Sequence, residues 1–209
     1  FILGDTVVNR ANNLIQYAIN NKKYRFALIG PVKDDNNKIL SLISNKILMH
    51  RGTITFSSYY SNDVSAISDL AQDIKNRIIQ TNTDVIIFTG EPDKRMSHLA
   101  AELADITVNK KDKGIQIMGL THWENSASIL SEPALQKAWF TMPDQRFRSF
   151  YENKFIKKFG YIPHPKSNLA YDAVASLGVI HKNFNNNKND YFDKFNGLFN
   201  RNGFIGIDG

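Results

Sequence analysis

Between residues 25 and 120, short apolar segments alternate with longer segments of helical periodicity, and this alternation limits the possible folds more than any other feature. The apolar segments are RFALIG (25–30), TITFSSYY (53–60), DVIIFTG (84–90) and GIQIMGL (114–120). The segments between them repeat apolar residues at intervals of three and four, which is the spacing of one helix face. Strands that alternate with helices pair in parallel, because each helix carries the chain back to the start of the next strand. The sequence therefore predicts an α/β fold with a parallel, doubly wound sheet and helices on both faces.

Flanking residues predict where several elements start and stop. Asp5 or Thr6 is expected to cap a first helix, and Gly52 is expected to end the second. After residue 120 the alternation stops, and residues 137–144 are expected to form a strand that leaves in a new direction. In the helix that follows, four aromatic side chains spaced four residues apart predict a seam in the core. They are Phe147, Tyr151, Phe155 and Phe159.

Composition excludes several classes of function. The chain of 209 residues has no Cys, which excludes thiolate catalysis, disulfides and Cys-ligated metals. Its net charge of +6 raises the question of nucleic-acid binding, but the densest basic groups, in 110–113 and 154–158, are not interleaved with aromatics in a strand array. No apolar run approaches the roughly 20 residues of a membrane-spanning helix. We therefore predict no nucleic-acid partner and no membrane-spanning segment.

Signals for catalysis, metals and cofactors are weak. His122 and Glu124 could form a general base and its orienting acid, but no nucleophile is evident nearby. The other His residues are far apart and form no metal-binding pair at helical spacing. The final GFIGIDG has Gly-x-x-Gly spacing without the strand–turn–helix context of a phosphate-binding loop. We predict no catalytic residue, no metal site and no cofactor.

Several longer segments, in their order along the chain, resemble a known fold. They are DVIIFTGEPD (84–93), GIQIMGLTHWEN (114–125), EPALQKAWFTMPD (132–144) and FGYIPHPKSNLAYDAVA (159–175). This succession resembles the type I periplasmic-binding fold, and within it the leucine-binding-like group. The branch that it is most similar to comprises penicillin-binding-protein activators. The resemblance covers essentially the whole chain.

The resemblance implies two α/β lobes joined by three crossovers, with one complete lobe and a helical part of the other in this chain. Residues 6–136 would form the second lobe, with 203–209 returning towards it. Residues 137–144 would cross between the lobes, and 145–200 would be the helical remnant of the first lobe. The chain would then be truncated at its N-terminus by a natural, proteolytic or engineered cut. The missing lobe or a neighbouring chain is expected to cover 145–200.

In a parallel sheet, ligands bind beyond the carboxyl ends of the strands. The resemblance implies ligand-facing residues there: an aromatic after the first strand, another after the third and an acid after the fourth. The matching positions are Asp34, Glu91 and Thr121, with His122 beside the last. Asp34 stands in place of an aromatic, Thr121 in place of an acid, and Glu91 supplies an acid on another strand. These four residues are the ligand-cleft candidates. Each of the first three also has a simpler interpretation: a turn or cap acid for Asp34, a loop before a Pro-started helix for Glu91, and a loop hydroxyl for Thr121.

The resemblance implies a non-catalytic binding protein of the bacterial cell envelope, located in the periplasm. Two roles are open. The protein binds a small solute such as an amino acid for an ABC transporter, or it contacts a peptidoglycan synthase as its activator. A different class, the ligand-sensing lobe of a cytosolic transcription regulator, shares the fold. That class carries an attached DNA-binding helix-turn-helix, which this sequence does not contain but which a truncated chain could have lost.

Overall fold

The structure is a computed structural model that describes residues 6–32, 36–61, 63–107, 114–120, 123–142, 145–164, 167–182 and 206–207. The chain divides into two compact units, Thr6–Met142 and the part from Pro143 onwards. In the first unit the strands are β1 (Arg25–Pro31), β2 (Thr53–Tyr60), β3 (Val85–Phe88), β4 (Gln116–Gly119) and β5 (Trp139–Phe140). Its helices are α1 (Val7–Asn20), α2 (Asn36–Met49), α3 (Ile67–Thr81), α4 (Lys94–Glu102), α5 (Ala104–Thr107) and α6 (Ala127–Leu130). The second unit contains α7 (Gln145–Phe159) and α8 (Ser167–Lys182).

The five strands form one parallel sheet in the order β2-β1-β3-β4-β5. The predicted α/β fold with a parallel sheet is therefore confirmed. Successive residues of β1 face opposite sides: Phe26 and Leu28 pack with α1 and α2, whereas Ala27 and Ile29 pack with α3 and α4. Both faces of the sheet are covered, as the unbroken apolar strands require.

Three helices of the first unit end in a left-handed residue at the amino edge of the sheet. Arg51, with φ of 62°, follows α2, and the N–H of Gly52 bonds to the carbonyl of Ile47 at 2.9 Å. The expectation that Gly52 itself ends α2 is wrong, because Arg51 takes the left-handed conformation instead. Lys22 after α1 and Asn82 after α3 have the same conformation. At the other end of α1, Thr6 is the N-cap, since its Oγ1 accepts the N–H of Asn9 at 3.2 Å.

The strand expected to leave in a new direction stays in the sheet. Trp139 and Phe140 pair with Met118 and Gly119 in parallel, which makes β5 an edge strand of the same sheet. The ring of Trp139 lies 4.8 Å from that of Tyr17 on α1, and this contact holds β5 against the sheet. The lobe boundaries proposed above for 6–136, 137–144, 145–200 and 203–209 stay predictions.

The second unit leaves much of its aromatic surface uncovered. Tyr151 is buried, and its hydroxyl lies 2.9 Å from Oγ of Ser167, so it joins α7 to the start of α8. The predicted core seam is wrong for Phe147 and Phe159, which are 44% and 50% exposed, because nothing in the described chain covers them.

Candidate functional site

The strand order places a crevice at the carboxyl ends of β1 and β3. The chain winds from β1 to β2 on one side and continues to β3 on the other, so the winding direction reverses between β1 and β3. Ligands of open parallel sheets bind at such a reversal. We call the residues at the carboxyl ends of the strands the carboxyl rim. It comprises Pro31, Tyr60, Thr89–Glu91 and Gly119–Leu120 together with the start of α4.

Of the four ligand-cleft candidates, the structure describes one. Glu91 follows β3 and is exposed on the carboxyl rim, one residue beyond Gly90. Asp34, Thr121 and His122 lie outside the described residues. The Pro-started helix expected after Glu91 begins later, at Lys94, because Asp93 is the N-cap and accepts the N–H of Met96 at 2.8 Å.

The floor of the crevice between β1 and β3 is packed without space for a side chain at Gly90. A Cβ there would lie 2.6 Å from Cδ of Pro31 and 2.7 Å from the hydroxyl oxygen of Tyr60. That hydroxyl is buried and has no hydrogen-bond partner in the part of the chain that the structure describes. Burial raises the pKa of Tyr60, the charge of Asp93 raises it further, and Arg95 opposes the shift. A ligand at the carboxyl rim would therefore lie on top of Pro31, Gly90 and Tyr60, because their packing leaves no room beneath them.

An ion pair that sequence spacing did not reveal lies beside this floor. The guanidinium of Arg95 donates to Oδ2 of Asp93 through Nε at 2.9 Å and also through Nη2. It lies 5.4 Å from the centroid of the Tyr60 ring, and its Nη1 is 3.4 Å from the carbonyl of Ser61. Asp93 thus caps α4 and orients Arg95 at the same time, which fixes one positive charge at the carboxyl rim.

The ring of Trp123 packs against the carboxyl end of β4. A Cβ at Gly119 would lie 2.0 Å from Cε2 of this ring, so only glycine allows the ring to lie against the strand. The Trp123 ring also contacts Phe88 and Phe140, at centroid distances of 6.2 and 6.5 Å. The next residue, Glu124, forms an ion pair with Arg10 of α1 at 3.6 Å. The carboxylate considered above as an orienting acid for His122 is therefore bound to an arginine.

No group of three or more His, Asp or Glu side chains is arranged to hold a metal ion in the described ranges. None of the described helices has the length and apolar character needed to cross a lipid bilayer. The expectations of no cofactor and no catalytic residue stay predictions.

Comparison with solved structures identifies the fold. A substrate-binding protein of an ABC transporter from Desulfitobacterium hafniense, in complex with Leu, aligns with 98% of this chain and 57% of its own, at 15% identity and a TM-score of 0.59. A putative branched-chain amino acid ABC transporter protein from Rhodospirillum rubrum aligns with 100% of this chain and 59% of its own, at 14% identity and a TM-score of 0.70. A solute-binding protein from R. palustris, in complex with benzoate, aligns with 98% of this chain and 55% of its own, at 14% identity and a TM-score of 0.53.

The chain has the type I periplasmic-binding fold. The identities are low, so the likeness concerns the fold. No protein-family model and no curated protein sequence matches the chain. The chain spans between 55% and 59% of the length of these three structures.

Within this type I periplasmic-binding fold, the second unit carries a groove of about 800 Å³ between α7 and α8. Aromatic rings form much of its lining, including those of Phe150, Phe155 and Tyr171. Phe150 and Val174 are 60% and 71% exposed. We call this surface the apolar face. Contiguous apolar surface of this kind on a chain marks a place where another layer packs.

Gly206 and Ile207 lie against α8 in the same unit. The N–H of Ile207 donates to both carboxylate oxygens of Asp172, at 3.0 and 2.8 Å. Burial raises the pKa of Asp172, and the Ile207 hydrogen bond lowers it in part. A Cβ at Gly206 would lie 2.3 Å from Oδ2 of Asp172, so this glycine permits the close approach.

Proposed function

We propose that the protein is a non-catalytic solute-binding protein of the bacterial periplasm and that its carboxyl rim forms one wall of the solute site. The observation that carries this proposal is the reversal of winding between β1 and β3, in a chain whose whole length aligns with substrate-binding proteins of ABC transporters. Two of those structures contain Leu or benzoate, which are small solutes that carry a carboxylate.

The charges of the carboxyl rim suit a small zwitterionic or anionic solute. Glu91 is an exposed carboxylate that a ligand ammonium can reach. Arg95 supplies a guanidinium that Asp93 already orients. A solute that meets both groups would need a positive and a negative end, as an amino acid has. Asp34, Thr121 and His122 remain proposed members of the same site.

We further propose that the apolar face of α7 and α8 is covered by the missing lobe or by a neighbouring chain. The aligned structures are longer than this chain, and the face is too apolar to stay in water. The covering layer is the remaining lobe of the same protein or part of a neighbouring chain. With it, the solute would bind between two lobes that close about their connections.

Binding to a peptidoglycan synthase is the second candidate function. The observation that favours it is that two acids at or near the carboxyl rim already have internal partners, since Asp93 binds Arg95 and Glu124 binds Arg10. Because these carboxylates are already paired, fewer of them can bind a solute. The paired side chains instead form a rigid surface that suits contact with a protein. The ligand-sensing lobe of a transcription regulator is a third candidate, with the fold as its support.

A thermal-shift assay on the complete gene product tests the first proposal. Amino acids and aromatic carboxylates form the panel, because a ligand that binds the folded state raises the melting temperature. At 100 times its Kd, a ligand adds about 2.7 kcal/mol to the free energy of unfolding. Glu91→Gln is expected to abolish the shift for amino acids, whereas Glu102→Gln on α4 is the matched control and leaves it unchanged.

If no compound shifts the melting temperature, the solute-binding proposal is wrong. Capture of a purified peptidoglycan synthase by the same protein would then favour the activator role. Retention on a DNA column by a longer gene product with a helix-turn-helix would favour the regulator.

A further inference from the structure

The edge opposite the carboxyl rim carries a polar groove of about 550 Å³. All strands run in parallel, so their amino ends lie together, about 20 Å from the carboxyl rim along β1 at roughly 3.3 Å per residue. The groove is lined by Asn21, Lys22, Lys23, Tyr24, Arg25, Asp84 and Gly114. We call it the amino-edge groove. Nothing in the proposed solute site uses it.

The backbone of the groove is held in one conformation. The N–H of Lys23 bonds to the carbonyl of Ala18 at 3.0 Å and that of Lys22 to the carbonyl of Ile19 at 2.9 Å, which are the two bonds of a Schellman motif. This motif forces Lys22 into the left-handed region, with φ of 60°. Glycine is the residue that ordinarily occupies such a position, because it has no Cβ to strain. A lysine there is less favourable for the turn than a glycine would be.

Asp84 fixes the guanidinium of the groove. Its Oδ2 accepts the N–H groups of Tyr24 and Arg25 at 3.1 and 3.0 Å. The Arg25 side chain donates to the same carboxylate through Nε at 3.4 Å and Nη2 at 3.2 Å. The Arg25 side chain is nevertheless 46% exposed, so the oriented guanidinium still faces solvent at the groove.

The lysines give the groove an excess of positive charge. Among the described residues that line it, Asp84 is the single acid, and it already binds Arg25. Nζ of Lys23 lies 3.4 Å from the carbonyl of Gly114, and among the described residues neither Lys22 nor Lys23 has a carboxylate partner. Cations at the end of α1 complement the helix dipole. That explanation does not extend to Arg25, which lies on β1.

We propose that the amino-edge groove is a docking site for an acidic peptide segment of a partner protein. Glutamate or aspartate side chains would bind Lys22, Lys23 and Arg25 by charge-assisted hydrogen bonds. The acceptors of the groove, the Asp84 carboxylate and the Gly114 carbonyl, are already bound by Tyr24, Arg25 and Lys23. The groove therefore recognises its partner through its cations, and the carboxylates of a short peptide segment match three cations confined to one groove. The concave shape likewise fits an inserted chain better than a flat membrane surface.

Fluorescence anisotropy with a labelled hexaglutamate peptide tests the proposal on the 209-residue chain at 20 mM and 300 mM salt. The double variant Lys22→Gln, Lys23→Gln is expected to weaken binding at least tenfold. The matched control is Lys154→Gln, Lys157→Gln on α7, which removes the same charge from another surface and is expected to leave binding within twofold. Hexaglutamine, inorganic phosphate and vesicles with 30% anionic lipid are the comparison ligands, and none is expected to bind comparably.

Backbone amide NMR locates the peptide independently of any effect on folding. Shifts on addition of hexaglutamate are expected at Lys22, Lys23, Tyr24 and Gly114. The proposal is overturned if the two double variants weaken binding equally, since the attraction would then be a property of net charge. Binding to anionic vesicles in preference to the peptide, or no peptide binding at 20 mM salt, would overturn it as well.

Discussion

A side chain at position 119 would have no room, because the ring of Trp123 lies where its Cβ would be placed. Gly119→Ala is therefore expected to displace this ring from Phe88 and Phe140. Overpacking of this kind lowers the free energy of unfolding by about 1–3 kcal/mol. Urea denaturation measures the loss.

Gly178→Ala is the matched control, since a Cβ on that glycine of α8 would meet nothing within 4 Å. The control is expected to gain up to about 1 kcal/mol, as alanine favours helix, and equal losses in both variants would contradict the packing described for Trp123.

At acidic pH, the free energy of unfolding depends on the protonation of Asp84. Burial raises the pKa of Asp84, but hydrogen bonds from the Arg25 side chain and from the N–H groups of Tyr24 and Arg25 outweigh it and lower the pKa below its ordinary value. The unfolded chain, with an aspartate pKa of about 3.9, therefore binds this proton more tightly than the folded chain. The stabilisation is present above pH 4 and is lost as the pH falls through the folded-state pKa.

Asp84→Asn is expected to flatten this acid limb and to lower stability at pH 7. Melting temperatures between pH 3 and pH 7 give the comparison. The matched control is Asp73→Asn, which removes an exposed carboxylate paired with Arg77 one helical turn away. That variant should follow the wild-type pH profile closely, and an unchanged acid limb in Asp84→Asn would show that the carboxylate does not carry the effect.

At the scale of elements, the existence and order of the first four strands were predictable. The segments 25–30 and 53–60 became β1 and β2 with bounds within one residue. The strand β1 is a continuous buried apolar run, whereas the edge strand β2 is half-buried and is marked by its β-branched and aromatic residues. The direction of β5 was not predictable. Two residues carry too little pattern, and the pairing depends on the contact between Trp139 and Tyr17.

The cluster of Tyr60, Asp93 and Arg95 at the carboxyl rim could not be predicted from the sequence without knowledge of the strand order. Tyr60 ends β2, whereas Asp93 and Arg95 follow β3, and these strands lie on opposite sides of β1. Their side chains meet because they reach over Pro31 and Gly90. No spacing along the chain encodes this meeting. The position of Glu91 after β3 was predictable because it directly follows a recognisable strand, but its role as a ligand-cleft residue stays a prediction. The other three cleft candidates lie outside the described residues.

The end of α2 gives an element-scale prediction. Arg51 adopts a left-handed conformation that costs a residue with a Cβ about 1–2 kcal/mol. Arg51→Gly is expected to raise the free energy of unfolding, by about 1 kcal/mol once the greater freedom of glycine in the unfolded chain is subtracted. Arg51→Ala removes the same charge and keeps the strain, so it should show no such gain in a urea titration. If both variants gain equally, the charge and not the backbone is responsible.

At the scale of the whole molecule, the chain presents two kinds of surface that must be treated differently. The carboxyl rim carries charged side chains that water can solvate, namely Glu91 and the Asp93–Arg95 pair, whereas the apolar face of α7 and α8 exposes aromatic and aliphatic side chains. The proposed missing lobe or neighbouring chain would cover that face. The isolated chain must bury the face against itself or expose it.

We therefore expect the isolated chain to self-associate with increasing concentration and to bind a hydrophobic dye. The double variant Phe150→Glu, Val174→Glu should lower both effects, because two charges on the apolar face oppose burial. Ile79→Glu is the matched control, since Ile79 is 65% exposed on α3 in the first unit. Sedimentation velocity between 5 and 100 μM and dye fluorescence give the readings.

A chain that stays monomeric and binds no dye would show that the apolar face needs no partner, and the proposal of a covering lobe would then lose its physical basis. Equal effects of the control variant would assign the association to exposed apolar residues in general and not to this face.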